Sequence, residues 1–469
     1  MTLKSAIRIG IFALVALVLT GCVDEEIVYR DRPIFDDPPA GAQGFVGYSN
    51  QEAGRTVCGA CHVGTQARWQ GTAHANAWAT LAATGDNRAF CEDCHTVSER
   101  GNPVEGAAGW TATGNPRYYD VQCEACHGPG LDHVTVPDAA GSQPLATLAV
   151  GIGADQACAD CHSGVHRPFA EEWAASGHGD MNPSPQGREA CQSCHEGKGA
   201  LRAWGVKSIF APDDQAQNLP ITCAVCHDPH SAEHDGQLRF AIDTPSLELN
   251  LCMKCHNQRG EPDMASFRAP HAPEGPLLLG TGGWWPPNLE FNPGDILGTH
   301  GSEANPRLCA GCHVTDYQMT DPETGSFAFR ATGHSFEATP CVDGDGMPTG
   351  ESDCGLMDRA FISCTDGCHG SEAAARSATI VATQRIENLA QTLEGMLDQV
   401  PDDQFGQAGR YTTADGSLFN LRLARVNGSA IHNPFLVEAL LVASIQQVQT
   451  EYGVSPAEPI SLERELRSD

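Results

Sequence analysis

Apolar residues are spread unevenly along this chain. The one dense run, Ile9 to Leu19, follows Lys4 and Arg8 and stops just before Thr20-Gly21-Cys22. A positive start followed by a short apolar stretch is the pattern of an export signal, too short to cross a bilayer as a mature helix. Residues 22–55 contain Asp24-Glu25-Glu26 and Asp36-Asp37-Pro38-Pro39 with little apolar periodicity, which predicts an acidic, Pro-rich tether. A helical period emerges only near the end, where Ile380, Val381, Ile386, Leu389, Leu393, Met396, Leu397 and Val400 recur. Asn433-Pro434 supplies a cap and first-turn pair for a second helix running to about Val448. A helical module over 371–469 is therefore expected, and residues 56–370 must fold by another principle.

Composition sharpens that contrast. The 469 residues, a length that suits about three domains, are 41% hydrophobic and only 6% aromatic, with 50 glycines, 21 cysteines and 19 histidines. Side chains alone would make a thin core, so something else must fill it. Lys and Arg number 28 against 59 Asp and Glu, a net charge of −31. Phosphate repulsion then argues against nucleic acid as a partner.

The cysteines supply the missing principle. Eight Cys-x-x-Cys-His motifs pair Cys58 with Cys61, Cys91 with Cys94, Cys123 with Cys126, Cys158 with Cys161, Cys191 with Cys194, Cys223 with Cys226, Cys252 with Cys255 and Cys309 with Cys312. They close on His62, His95, His127, His162, His195, His227, His256 and His313. A ninth, Cys364 to Cys368 closing on His369, has one extra residue between its thiols. Two thiols on one turn reach the two vinyl groups of one haem, and the following imidazole binds the iron. Structural zinc needs no histidine after each pair, and a disulfide scaffold predicts irregular spacing. Nine covalently bound c-type haems are therefore expected. The motif starts lie 33, 32, 35, 33, 32, 29, 57 and 55 residues apart, a repeat whose units must pack on one another and on porphyrin.

Ten histidines remain, enough for a second axial ligand at every iron. His74, His178 and His334 end the related hexapeptides Trp69-Gln-Gly-Thr-Ala-His, Trp173-Ala-Ala-Ser-Gly-His and Phe329-Arg-Ala-Thr-Gly-His, where small residues let backbone and imidazole approach a flat ring. His133, His166, His230 and His300 lie near motifs. His166 and His230 sit too close to their own motif to wrap around the same porphyrin and should serve neighbours. His271 fills the gap after motif seven, and His432 opens the last helix. His234, in an acidic polar loop, is the expected spare.

Cys341 and Cys354 bracket an acidic loop and should form a disulfide in an oxidising compartment. Asp343, Asp345, Glu351 and Asp353 offer oxygens of the kind calcium takes, but Met347 breaks the EF-hand pattern, and a solvated loop is the preferred reading.

The run from Cys58 to His133, with Cys-Gly-Ala-Cys-His, Trp-Gln-Gly-Thr-Ala-His-Ala and Val-Gln-Cys-Glu-Ala-Cys-His-Gly-Pro-Gly, resembles bacterial cytochromes of the c554 kind. Ile-Thr-Cys-Ala-Val-Cys-His-Asp-Pro-His, Leu-Cys-Met-Lys-Cys-His-Asn-Gln-Arg and Ile431-His-Asn-Pro-Phe are similar to phrases of larger extracytoplasmic multihaem cytochromes. The resemblance implies a mainly α and irregular fold with a haem-packed core over 56–370 and closely spaced haems passing electrons along a row. The residues before Cys22 resemble a bacterial lipobox, so residues 1–21 would be a signal peptide and Cys22 a lipid anchor. Val23 in the next position favours the outer membrane, with the chain facing periplasm or cell surface and other envelope redox proteins as partners. The rival expectation is an oxidoreductase acting on nitrite, hydroxylamine or a sulfur oxyanion at one open haem face, and a third is a subunit of a polymerised cytochrome wire.

Overall fold

The computed structural model describes residues 35–456 apart from 86–87, 152–156, 165–166, 207–217, 288–297, 321–323, 366 and 408. The expected signal peptide, Cys22, residues 23–34 of the expected tether and His166 lie outside the described residues. The rest of that tether is not a solvated linker: Ala42, Phe45, Val46 and Tyr48 are buried, and Ala42 and Phe45 pack against Val97, Ala108 and Tyr118. Between Pro38 and Gly370 the backbone is mostly turns, loops and short helices, the longest among the described residues being Ala77–Thr84 with eight residues. The strands among the described residues form two antiparallel hairpins. In the first, β1 (Tyr48–Asn50) pairs with β2 (Arg55–Thr56); in the second, β3 (Tyr317–Thr320) pairs with β4 (Phe327–Ala331), with Tyr317 opposite Ala331.

The buried apolar clusters of this body are small. One gathers Ala42, Phe45, Val97, Ala108 and Tyr118, another Ala200, Leu201 and Val225. Buried carboxylates tie distant segments together where apolar contacts do not. Glu124, in motif three, accepts the N–H groups of Val46, Gly47 and Gly130 at 2.7–3.0 Å. Burial pushes its carboxyl up to about 7, against the pull of those donors. Glu172 accepts Thr332 N, Thr332 Oγ1 and His334 N at 2.7–2.8 Å, joining segments 160 residues apart.

The C-terminal region is built differently. Helices α1 (Glu372–Leu397), α2 (Thr413–Ala424) and α3 (Pro434–Tyr452) pack into a three-helix bundle around Leu389, Leu393, Met396, Phe419, Leu423, Leu436, Leu440 and Ile445. Ser371 caps α1 by accepting Ala374 N, Thr412 and Asp415 form a reciprocal capping box on α2, and Asn433 caps α3 by accepting Leu436 N with Pro434 in the first turn. Two details depart from the sequence reading. Helix α3 runs past Val448 until Gly453, at φ +69°, ends it. Ile380 and Val381, 39% and 67% exposed, lie on the outer part of α1 and not in the core. The body enters this bundle at Leu277 and Trp284, both in the bundle core, and Asn420 accepts Trp284 N and donates to Trp284 O at 2.7 Å each. Gly416 makes room for that indole, since a Cβ there would sit 2.0 Å from it.

Candidate haem centres

Each motif is one tight turn, and in all but motif two, where His95 N donates to Glu92 O at 3.0 Å, the closing histidine returns toward the first cysteine. His62, His162, His227 and His256 donate their N–H to the carbonyl of Cys58, Cys158, Cys223 and Cys252 at 2.9–3.0 Å, a four-residue step that puts the first thiol and the imidazole on one face. The ninth motif keeps this closure despite its extra residue, because His369 N reaches Cys364 O at 3.0 Å across a five-residue step. Gly367, at φ +75°, supplies the left-handed residue that the wider turn requires.

Opposite eight of these histidines stands a second histidine from a distant segment. His62 faces His133, His74 faces His162, His127 faces His230 and His178 faces His256, with ring centroids 6.4, 6.1, 6.2 and 6.2 Å apart. His195 faces His271, His227 faces His334, His300 faces His369 and His313 faces His432, at 5.9, 6.3, 6.3 and 6.3 Å. Two imidazoles directing a nitrogen at one metal from opposite sides, each about 2 Å from it, hold their centroids roughly 6 Å apart. Direct ring stacking would not demand one separation from eight pairs of such varied tilt. His162, His178 and His432 are pushed down to about 4, chiefly by burial, which keeps the imidazoles in the neutral form that ligates metal. Nδ1 of His133 and of His432 is buried with no hydrogen-bond partner among the described residues.

The first two hexapeptides are docking devices as well as histidine donors. The indole of Trp69 donates to Val121 O while Val121 N donates to His74 O. Trp173 and His178 make the same pair of bonds to Ile221. Val121 and Ile221 each stand two residues before a motif, the third and the sixth.

Thiol contacts order the motifs in space. Cys58 meets Cys123, Cys94 meets Cys161, Cys158 meets Cys223, Cys194 meets Cys255 and Cys252 meets Cys309. Cys126 is an electrostatic neighbour of Cys158, Cys226 of Cys252, and Cys312 of Cys364 and Cys368. The resulting order is one, three, four, six, seven, eight, nine, with motif two beside four and motif five beside seven. Contacts among motifs one to four repeat among four to seven, an internal duplication sharing motif four.

Not every histidine finds a partner. His95 donates Nδ1 to Ala77 O at 2.9 Å and faces no second imidazole among the described residues. His234 likewise pairs with none there. Cys341 and Cys354 are joined in a disulfide. In their loop, Asp343 turns its carboxylate onto the N–H groups of Asp345 and Met347, and no group of three or more metal-binding side chains converges there.

The family model for cytochrome c554 and c-prime matches residues 57–128, and one for a doubled CXXCH motif matches residues 219–261. Among curated proteins, the chain is 25% identical over 301 residues to the multihaem cytochrome MtrA of Shewanella baltica, covering 60% of this chain and 77% of that one. It is 28% identical over 215 residues to the polyhaem cytochrome OmcC of Geobacter sulfurreducens, and 25% identical over 306 residues to OmcB of the same organism. The chain is a multihaem c-type cytochrome. The match spans 38% of the chain and 26% of OmcC, and 56% of the chain and 36% of OmcB. A solved undecahaem cytochrome from the S-layer of Carboxydothermus ferrireducens aligns with 90% of this cytochrome and 71% of its own chain, at 17% identity and a TM-score of 0.46. The two matched segments of the cytochrome contain motifs one to three and motifs six and seven.

Which histidine serves which motif was not legible in the cytochrome's sequence. The pairs join segments up to 119 residues apart, as in His313 with His432, and no local pattern encodes that choice. The buried ties through Glu124 and Glu172 were missed too, because a glutamate inside a motif or a short helix reads as a solvated charge.

Proposed function

We propose that this cytochrome carries nine covalently attached haems, one per motif, and relays electrons between redox proteins of the cell envelope as an outer-membrane lipoprotein acylated at Cys22. The eight opposed histidine pairs at about 6 Å carry the reading. Bound haem supplies a one-electron iron couple. The chain's part would be to hold it: each cysteine pair would bind one porphyrin covalently, and the closing histidine and its distant partner would both ligate its iron. With both ligands in place the metal would be closed to substrates and water, which would suit relay over catalysis. For motif two the duplication points to His166. Motif five takes its partner, His271, from the segment after motif seven, and motif two stands to motif four as five stands to seven. The contact order makes motif one and motif nine the ends of the row, with motifs two and five beside it.

The test is a haem count with ligand-field spectroscopy on the purified holoprotein. Nine haems by intact mass, all low-spin in the oxidised state, are expected. A smaller number, or a high-spin iron in the resting protein, would overturn the relay reading in this form. Release of the Cys22→Ala variant from the membrane fraction tests the anchor.

A further inference from the structure

Motif seven differs from its neighbours in what stands behind its histidine. His95, His127, His227 and His313 donate Nδ1 to main-chain carbonyls of Ala77, Pro144, Gly236 and Phe336 at 2.6–2.9 Å. His256 directs Nδ1 at a carboxylate, Glu274 Oε2, at 3.4 Å. The contact is built into the fold. Gly275 donates its N–H to His256 O at 2.8 Å, and a Cβ on Gly275 would sit 2.8 Å from that oxygen and 3.1 Å from Met253. Only a residue without a side chain lets the segment approach so closely, and that approach delivers the preceding Glu274. Leu277 and Leu278 of the same short helix are buried in two apolar clusters and fix it from the other end.

Among the described residues no lysine or arginine pairs with Glu274. The other carboxylate facing a paired imidazole, Asp228 at 3.3 Å from His230 Nδ1, also lies 3.8 Å from Arg239, which offsets its charge. Glu274 is in addition an electrostatic neighbour of His432, the partner of His313 in motif eight. It therefore stands at the one point in the row where motifs five, six and eight all adjoin motif seven.

We infer that Glu274 is a positioning residue that makes the iron held at motif seven the most reducing of the row. A carboxylate accepting the Nδ1 proton raises the basicity of the ligating nitrogen, and its negative charge favours the more positive, oxidised iron. Electrons crossing between the two sides of the row would then pass an uphill site, so the junction would limit the rate of traffic through motif seven. This inference rests on the proposal that His256 is an axial ligand.

The experiment is a spectroelectrochemical titration of the holoprotein and its Glu274→Gln variant, with haem content measured on both. In the variant, the lowest-potential couple should move upward by about tenfold in its oxidised-to-reduced ratio, ~59 mV for one electron, with the other couples nearly unmoved. Glu274→Asp, which keeps the charge but shortens the reach, should shift the same couple less. Unchanged couples in both variants, or a uniform shift of every couple, would overturn the inference. Holoprotein lacking nine low-spin haems would fault the earlier proposal instead.

Discussion

Between Tyr48 and Ala360 the longest helix among the described residues has eight residues, Ala77–Thr84, whereas α1, α2 and α3 have 26, 12 and 19. The two regions bury their interiors with different material. In the bundle, apolar side chains from three helices fill one continuous core, the ordinary solution for an α-helical module. In the body, apolar clusters of three to five buried residues are scattered between motifs. The segments that would have to close around them are tied by buried carboxylates and indole-to-carbonyl bonds, with facing histidines between them. A fold can thus do without regular secondary structure when an external rigid group supplies the packing surface and the chain supplies its fixings.

The sharpest way to break this contrast is to withhold the prosthetic group. Protein made without haem attachment should lose its ordered body while the bundle persists. Limited proteolysis with mass mapping should then cut throughout 56–370 and spare most of 371–456; a protected body would show that its side chains suffice alone. Within the bundle, Leu393→Ala removes a fully buried side chain from α1. It should cost about 2–5 kcal/mol of helical stability in denaturant unfolding while leaving the Soret band intact. In the body, Glu124→Gln replaces an acceptor of three backbone N–H groups with an amide that has one acceptor atom. A loss of about 1–3 kcal/mol follows, visible as earlier hydrogen exchange at Val46, Gly47 and Gly130. The smallest effect belongs to Arg425→Ala, which removes a half-exposed pair with Glu394. Such a pair is worth roughly 0.2–1 kcal/mol, and the loss should shrink further at high salt.

The bundle was partly readable because helical periodicity is local: Leu389, Leu393, Met396 and Leu397 announce a buried face, and Asn433-Pro434 announces a start. Ile380 and Val381 fit the same period and yet face outward, since periodicity identifies a face without saying how far the neighbouring helices extend. In the body, motif positions were legible because the attachment chemistry demands a fixed spacing, and the relation of Trp69 to His74 and of Trp173 to His178 was visible as a repeated phrase. What that phrase binds was not, since Val121 and Ile221 have no side-chain signature as carbonyl acceptors. Glu274 was likewise invisible, because its placement depends on Gly275 closing against His256, a tertiary contact between segments that share no pattern.

The partnership of His313 with His432 bears on how such a molecule is made. On the proposed reading, the residue that would complete one site ends the short helix Ser429–His432 just before α3, and it leaves the ribosome after all nine attachment turns. On that reading each porphyrin could be joined to its turn as that turn emerges, but this centre would stay half-clad until the segment carrying His432 had folded back. Truncated or stalled chains would therefore carry an incompletely clad iron, which marks them as unfinished for any quality-control factor that senses reactive haem.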